Sequence, residues 1–438
     1  MVDGELRYTY AQAIERARRL AAALAGLGAQ PGDRIAVLDR NSHRYLEAYF
    51  ACAWGGFTIV PLNTRLAKAE QDRILLDCQP KALLSDPDDH ESLVSRGHAG
   101  PPAPADPQAL SAIYYTSGTT GEPKGVCLAQ RAVVAGIADA LYGLDFKPDD
   151  VWLHAAPLFH LADAFAIWAL TLAGARQVLM HFNAEGFLEM VERERVTKTS
   201  LPPTLISMVA NLPEARSADL ASLRRISYGG SPMPEDLYRR AAEVFGCELL
   251  QAYGITETTG FVCCAMPGDP PGSVGRPVPG VRLKLVDGEF VVSGPKLMCG
   301  YWRKPQATAE ALRDGWYYTG DLGHVDGDGR YFIRDRKKDM IISGGENVYP
   351  VEVENALAAH PAVLEAAVFG VPDAKWGEAV KAVVVLRPGA QASEAELIAW
   401  CRARVGGYKI PKSIEVSSEP LPKSGPGKIA RHLLRKLT

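Results

Sequence analysis

The 438-residue chain has no stretch long enough to span a membrane. Its longest mainly apolar run covers only 164–175, whereas a spanning helix needs about 20 residues, so the run is expected to be a buried helix. The first five residues carry no signal-peptide pattern. Eight cysteines at 52, 78, 127, 247, 263, 264, 299 and 401 form no Cys-x-x-Cys pair, and Cys263-Cys264 lacks metal-site spacing. The nine histidines contain no His-x-x-x-His cluster. Reduced, mostly buried thiols in a cytoplasmic protein are therefore expected. Neither sign of charge dominates: 48 Lys and Arg face 51 Asp and Glu, a net charge of −3, which gives no global attraction to nucleic acid or anionic lipid. Internal repeats are absent. An apolar share of 47% with 23% charged residues is that of an ordinary globular protein, and the length calls for two or three domains.

Helical and strand patterns alternate through the first two thirds of the sequence. Thr9 followed by Gln12 is a capping box for a helix over 11–27, with Gly28 as its stop. A strand over 34–38, a helix over 42–54 and a strand over 57–62 follow. The alternation resumes with strands at 151–155, 177–180, 198–201, 224–228 and 248–251 and helices at 162–172, 184–195 and 235–245. Such β-α-β repetition implies mostly parallel sheets covered by helices, with ligands beyond the strand C-termini. The pattern changes near 270. Asp287-Gly288 between strands at 281–286 and 289–293 signals a hairpin, and 326–329 is a second turn before a strand at 331–333. From about 340 the chain reads as a separate α+β unit. Its helix opens at Pro350, strands lie at 364–370 and 380–386, and a Ser393/Glu396 capping box starts a helix to about 405. The proline-rich, acidic segment 85–107 is expected to be an exposed connection.

The densest chemistry lies in Tyr114-Tyr115-Thr116-Ser117-Gly118-Thr119-Thr120-Gly121-Glu122-Pro123-Lys124-Gly125. Glycines let backbone N–H groups approach an anion, the hydroxyls add neutral donors, and Lys124 adds a charge. This is a phosphate cradle but not a Walker A loop, because Pro123 stands where that pattern needs glycine.

Four further segments carry polar groups that packing does not require. Gln251-Ala252-Tyr253-Gly254-Ile255-Thr256-Glu257-Thr258 follows a strand, where a carboxylate suits Mg²⁺ and an aromatic suits a base; taken alone, Glu257 is equally a routine helix N-terminal acid. Asp321, after Tyr317-Tyr318-Thr319-Gly320, can accept ribose hydroxyls or simply serve a turn. The charge run Arg334-Asp335-Arg336-Lys337-Lys338-Asp339 lies between the two apparent domains, so a hinge competes with a solvated face; Gly344-Gly345 adds a flexible turn. Pro422-Lys423-Ser424-Gly425-Pro426-Gly427-Lys428 puts a lysine on a Gly/Pro-rich loop. Residues 402–438 hold nine Lys/Arg against two Glu, or +7. No aromatic interleaving or apolar helix face accompanies that charge, so a polyphosphate substrate suits it better than nucleic acid or membrane.

In this order the segments resemble the adenylate-forming superfamily: acyl- and aryl-CoA synthetases, luciferases and the adenylation domains of peptide synthetases. The resemblance spans residues 8–434. It implies an α/β fold with a large N-terminal domain over 1–335, made of mostly parallel sheets flanked by helices plus a β subdomain at about 270–335. A small mobile α+β lid domain over 336–438 would follow, hinged near Lys338. It further implies that Thr116, Ser117, Gly118, Thr119, Thr120, Gly121 and Lys124 wrap the ATP phosphates. Gly229, Gly230, Ser231, Tyr253 and Gly254 would border adenine, Thr256 would lie near the α-phosphate, and Glu257 would bind Mg²⁺. Asp321, Arg336 and Ile333 would contact the rest of the nucleotide, and Lys428 would be the mobile catalytic lysine. Gly344, Gly345 and Trp376 match CoA-facing positions, and His160 matches the gate between acyl and pantetheine tunnels. Phe159, Phe165, Ser227 and Tyr228, with Trp168 and Phe261, would shape the acid pocket.

The chemistry stands without the family. A carboxylate would have to expel oxide to acylate anything. Attack on the α-phosphate of ATP gives a mixed anhydride and pyrophosphate, after which a thiol displaces AMP. Two anions must meet, so cations and N–H donors have to be aimed at the developing charge. Lys428 has no task in the second step, which accounts for its place on a domain able to rotate away. The expected activity is an AMP-forming acid–CoA ligase using ATP, Mg²⁺ and CoA on a medium- or long-chain acyl or aryl acid. The alternative is a stand-alone enzyme loading an acyl or amino acid onto a carrier protein, for which Asp163 is the nearest ammonium partner. A non-catalytic nucleotide-binding regulator would not need Lys428, Glu257 and Asp321 together. The expected partners are small molecules rather than nucleic acid, with a homodimer as the assembly to examine. Two departures stand out. Gln130 replaces a frequent histidine, and the short 85–107 segment suggests trimmed N-terminal layers.

Overall fold

A computed structural model describes residues 1–117, 123–424 and 428–437. The architecture is α/β with a large N-terminal domain and a smaller C-terminal one. Two mainly parallel sheets dominate the N-terminal domain. In the nine-stranded sheet, Glu248–Ile255, Arg225–Gly229, Lys198–Leu201, Val151–His154, Arg176–Leu179 and Val2–Asp3 run parallel in that spatial order. Gly260–Cys264 and Arg276–Pro277 extend one edge antiparallel, and Leu6–Arg7 closes the other. In the six-stranded sheet, Ala82–Leu84, Arg34–Val37, Thr58–Pro61 and Leu110–Ser117 are parallel, followed by antiparallel Pro123–Ala129 and Gly300–Tyr301.

Local signals set many of these elements. The Thr9/Gln12 capping box opens the helix Tyr10–Gly26. Ser42 caps His43–Gly55, which ends on Gly56 in the left-handed region at φ 68°. Segment 85–107 departs from the expectation of a mere connection: Asp86 accepts from the N–H groups of Asp88 and Asp89 and starts the helix Pro87–Arg96. Its Pro87 sits at the first helical turn, where no N–H is needed. The expected single helix over 162–172 is two, Leu161–Ala164 and Ala166–Ala173, divided at Phe165.

The Asp287-Gly288 turn, with φ 51° and 77°, joins Arg282–Val286 to Glu289–Ser293. With Leu312–Arg313, Trp316–Val325 and Tyr331–Arg336 these strands form an antiparallel sheet. Gly300–Tyr301, although within the same stretch of sequence, leaves for the six-stranded sheet. In the C-terminal domain the strand Gly377–Leu386 of the long hairpin with Val363–Asp373 pairs at its start with Ile341–Ser343, which Glu346–Val348 extends, and farther along with parallel Ser413–Ser417. Helices Pro350–Ala358 and Glu394–Arg402 bury Val353, Leu357, Leu397 and Cys401 against it. The second helix stops short of the expected 405. Among the described residues no helix is long and apolar enough to cross a membrane.

Candidate active site

Leu110–Ser117 and Pro123–Ala129 flank the phosphate-cradle motif, with Thr116 opposite Lys124 and Ser117 opposite Pro123. Gly118, Thr119, Thr120 and Gly121 lie outside the described residues, as does the Ser117 side chain. Gly125 is sterically required: a Cβ there would lie 2.8 Å from Ile113 and 3.0 Å from the Tyr115 ring. Gly300–Tyr301 pairs with Cys127 and Val126, and the Trp302 N–H donates to the Gly125 carbonyl at 2.7 Å. This edge strand sets the Tyr301 ring beneath Lys124, whose ammonium is 5.1 Å from the ring centre.

Glu248–Ile255 ends in a single 3₁₀ turn, Thr256–Thr258. There Glu257 meets the same tyrosine. The Tyr301 hydroxyl donates to Glu257 Oε1 at 2.9 Å, while the Met298 N–H donates to the Glu257 carbonyl at 2.8 Å. Tyr317 packs in the same core cluster as Tyr301. Burial first, and then the Glu257 carboxylate, raise the pKa of both phenols and keep them protonated donors. Neither tyrosine stood out in the sequence as a site residue.

Asp321 lies beside this group, only 4% exposed. Arg336, directly opposite it in the hairpin, places Nε 2.9 Å from Oδ1, and the Tyr253 hydroxyl donates to Oδ2 at 2.7 Å. The Asp321 charge is the first cause of Arg336 holding its proton more tightly. Tyr253 therefore does not offer a free face for a base. Its ring is buried edge-on against Phe290 at 5.7 Å, and Ile333 packs on the same cluster. Each Asp321 oxygen has a second lone pair, so hydroxyl donors can be added without displacing either partner. Gly229 pairs with Ala252, and a Cβ on Gly229 would sit 2.4 Å from the Ala252 carbonyl oxygen. That contact brings the Gly229-Gly230-Ser231 turn, with Gly230 at φ 82°, alongside Tyr253-Gly254.

The C-terminal groups form their own cluster. The Gly344 N–H donates to the Trp376 carbonyl at 2.8 Å, and a Cβ on Gly344, at φ 62°, would strike the indole at 2.8 Å. Gly345 is also left-handed at φ 84°. Trp376 is 38% exposed, between the ammonium groups of Lys375 at 4.7 Å and Lys412 at 5.3 Å. Lys338 is exposed, and the partial desolvation it meets is the first cause of a lowered pKa. The backbone of Lys428 pairs with Ser424; its side chain lies outside the described residues.

His160 packs edge-on against Phe159 at 4.7 Å and precedes Leu161–Ala164. Beyond it lies an apolar pocket with about 530 Å³ of empty space, including its open mouth, lined by Phe165, Trp168, Tyr49, Val133, Gly136 and Ile137 among others. Ser227 and Tyr228 do not reach it. They are 3% and 2% exposed within the nine-stranded sheet, Tyr228 against Tyr238. Phe261 packs on Phe165 at 4.5 Å behind the lining. The i, i+3, i+4 spacing of Val133, Gly136 and Ile137 was the missed signal: one helix face with a gap at glycine. Asp163 is fully buried, and its Oδ1 accepts from Trp152 Nε1 at 3.0 Å and lies 3.1 Å from His154 Nδ1. Its Oδ2 has no hydrogen-bond partner, and Asp163 does not line the apolar pocket.

The AMP-binding enzyme family model matches residues 1–302, and the model of the AMP-binding enzyme C-terminal domain matches 352–428. A feruloyl-CoA synthase of Amycolatopsis sp. is 41% identical over 465 residues, covering 99% of this chain and 94% of the relative. The fatty acid–[acyl-carrier-protein] ligase ScoC of Streptomyces coeruleorubidus is 38% identical, with 98% and 91% covered. ATP-bound MatB from Rhodopseudomonas palustris superposes with a TM-score of 0.93 at 30% identity, covering 99% of this chain and 94% of that one. The chain belongs to the AMP-binding enzyme family, and within the adenylate-forming superfamily it is most like the acid–CoA ligases.

Proposed function

We propose that the chain is an ATP-dependent acid–CoA ligase for an apolar acyl or aryl carboxylic acid. The observation that carries this reading is the apposition of Lys124 on the six-stranded sheet, Glu257 at the end of a strand of the nine-stranded sheet and the Asp321–Arg336 pair on the antiparallel sheet, with Tyr301 touching both Lys124 and Glu257. In this reading Thr116 to Lys124 hold the triphosphate, Asp321 accepts from the ribose hydroxyls, and Gly229-Gly230-Ser231 and Gly254 border adenine with their backbone.

The residues fit Mg²⁺. A carboxylate beside a phosphate cradle meets an ion usually held by one or two carboxylates and substrate phosphates. Among the described residues no group of three or more His, Cys, Asp or Glu forms a closed cage. Glu257 would hold the ion, which would neutralise charge developing on the phosphates. Lys124 supplies a fixed positive charge, Thr256 a hydroxyl near the α-phosphate, and Lys428 a second cation when its lobe closes over the ligand. The lobes divide as 1–335 and 336–438 with the turn at Lys338. Thioester formation uses the other side of that lobe, where Gly344-Gly345 and Trp376 meet CoA, and His160 parts the acyl from the pantetheine path. A reaction that consumes ATP and CoA suits an enzyme of the cytoplasm.

The apolar pocket lining and the engagement of Asp163 in the core favour an acid without an ammonium group. Likeness to ScoC keeps a carrier protein as the second reading for the acceptor. Competition between CoA and a phosphopantetheinyl carrier, after adenylation with an acid panel, separates the two. Thioester on CoA alone supports the proposal; loading of the carrier with indifference to CoA overturns it.

A further inference from the structure

We propose that Tyr301 is a positioning residue for adenylation, fixing the Glu257 carboxylate through its hydroxyl and the Lys124 ammonium through its ring; this rests on the ligase reading above. Glu257 has three side-chain torsions and stands on a single 3₁₀ turn, so it would otherwise spread over several rotamers. A carboxylate can only accept, so the hydrogen at 2.9 Å belongs to Tyr301. The Tyr301 hydroxyl therefore directs its hydrogen to Glu257. It aims a charge-assisted bond at one carboxylate oxygen.

On its face, Tyr301 holds the Lys124 ammonium at 5.1 Å, inside the range of about 6 Å for cation–π attraction. The contact restrains a flexible four-carbon stem and leaves the ammonium hydrogens for phosphate. One ring thus sets the separation of Lys124, on its strand, and Glu257, on its 3₁₀ turn. The ring is itself fixed by backbone pairing with Cys127 and Val126, the same strand that carries Lys124. Packing alone would explain a buried aromatic here, but packing does not require the hydroxyl.

Y301F separates the two, because it keeps ring and packing and deletes only the bond to Glu257. Binding of ATP is measured by calorimetry across a Mg²⁺ titration, alongside the two half-reactions and the melting temperature. The expected result is a half-saturating Mg²⁺ concentration raised about tenfold, the size of one lost charge-assisted hydrogen bond. Adenylation kcat should fall with an unchanged KM for the acid, thioester formation from supplied acyl-adenylate should be kept, and melting should not move. A wild-type Mg²⁺ titration in Y301F overturns the proposal, and so does equal loss of both half-reactions with a lowered melting temperature. A wild-type enzyme that releases no acid-dependent pyrophosphate would instead overturn the ligase reading, and the calorimetric titration, which needs no turnover, would still decide Tyr301.

Discussion

The Asp335 carboxylate accepts a 3.0 Å hydrogen bond from the Val351 N–H, tying the last strand of the antiparallel sheet to the first turn of the helix Pro350–Ala358. Asp335 precedes the proposed turning point at Lys338 and Val351 follows it, so the bond spans the junction between the lobes. Burial raises the Asp335 pKa to about 6, against the lowering effect of Arg431 and of the N–H groups of Val351 and Arg336, and with Glu354 adding to the rise. A carboxyl whose folded pKa lies above its unfolded value stabilises the fold when protonated. That stability is present in acid and is lost as pH rises from about 4 through about 6. Over that window wild type should lose on the order of 2–3 kcal/mol from this group. D335N should flatten that part of the profile in denaturant titrations at closely spaced pH values; an unchanged slope would mean the group titrates normally.

Lys428→Ala should lower adenylation by about a hundredfold or more, the scale for losing a charge aimed at a transition state. Thioester formation from supplied acyl-adenylate should remain near the wild-type rate. Rapid-quench measurement of each half-reaction checks this, and equal loss in both would contradict the assignment of Lys428 to one closed lobe orientation.

Asp321→Ala removes the acceptor that Arg336 and Tyr253 converge on. Loss of bonds to two ribose hydroxyls should weaken ATP by about 10–100-fold. Arg336 is 41% exposed, so leaving it without its partner should cost only about 1 kcal/mol of stability. Nucleotide titration and melting curves read the two effects separately.

Trp168→Ala opens the apolar pocket where Trp168 packs edge-on against Phe50 at 5.1 Å. The ratio of kcat/KM for bulky over small acids should rise, by about tenfold for each added methylene or two that finds room. A panel of graded acids reads this ratio, and no change would place the acid elsewhere.

Much of the fold was legible because its signals are local. The Asp287-Gly288 hairpin, the Thr9/Gln12 box and the alternation of strand and helix periods need no distant partner. Proline content hid the helix Pro87–Arg96, although Asp86-Pro87 is itself a cap followed by a first-turn proline. Phe165 divides a helix that the apolar run made look continuous. The site was legible as motifs but not as connections. Tyr301 enters through a two-residue edge strand paired to Cys127 and Val126, far away in sequence, and such a short pairing leaves no periodic trace. Tyr253 looked like a stacking platform because sequence reports an aromatic but not which side of the sheet it faces.

Exchange of labelled pyrophosphate into ATP, with and without an apolar carboxylic acid, tests most directly whether this site joins a carboxylate to the α-phosphate. Exchange should appear only with acid, depend on Mg²⁺, and drop sharply in Glu257→Gln. Exchange that ignores the acid, or that survives intact in Glu257→Gln, would contradict the adenylating role assigned to the cluster around Tyr301.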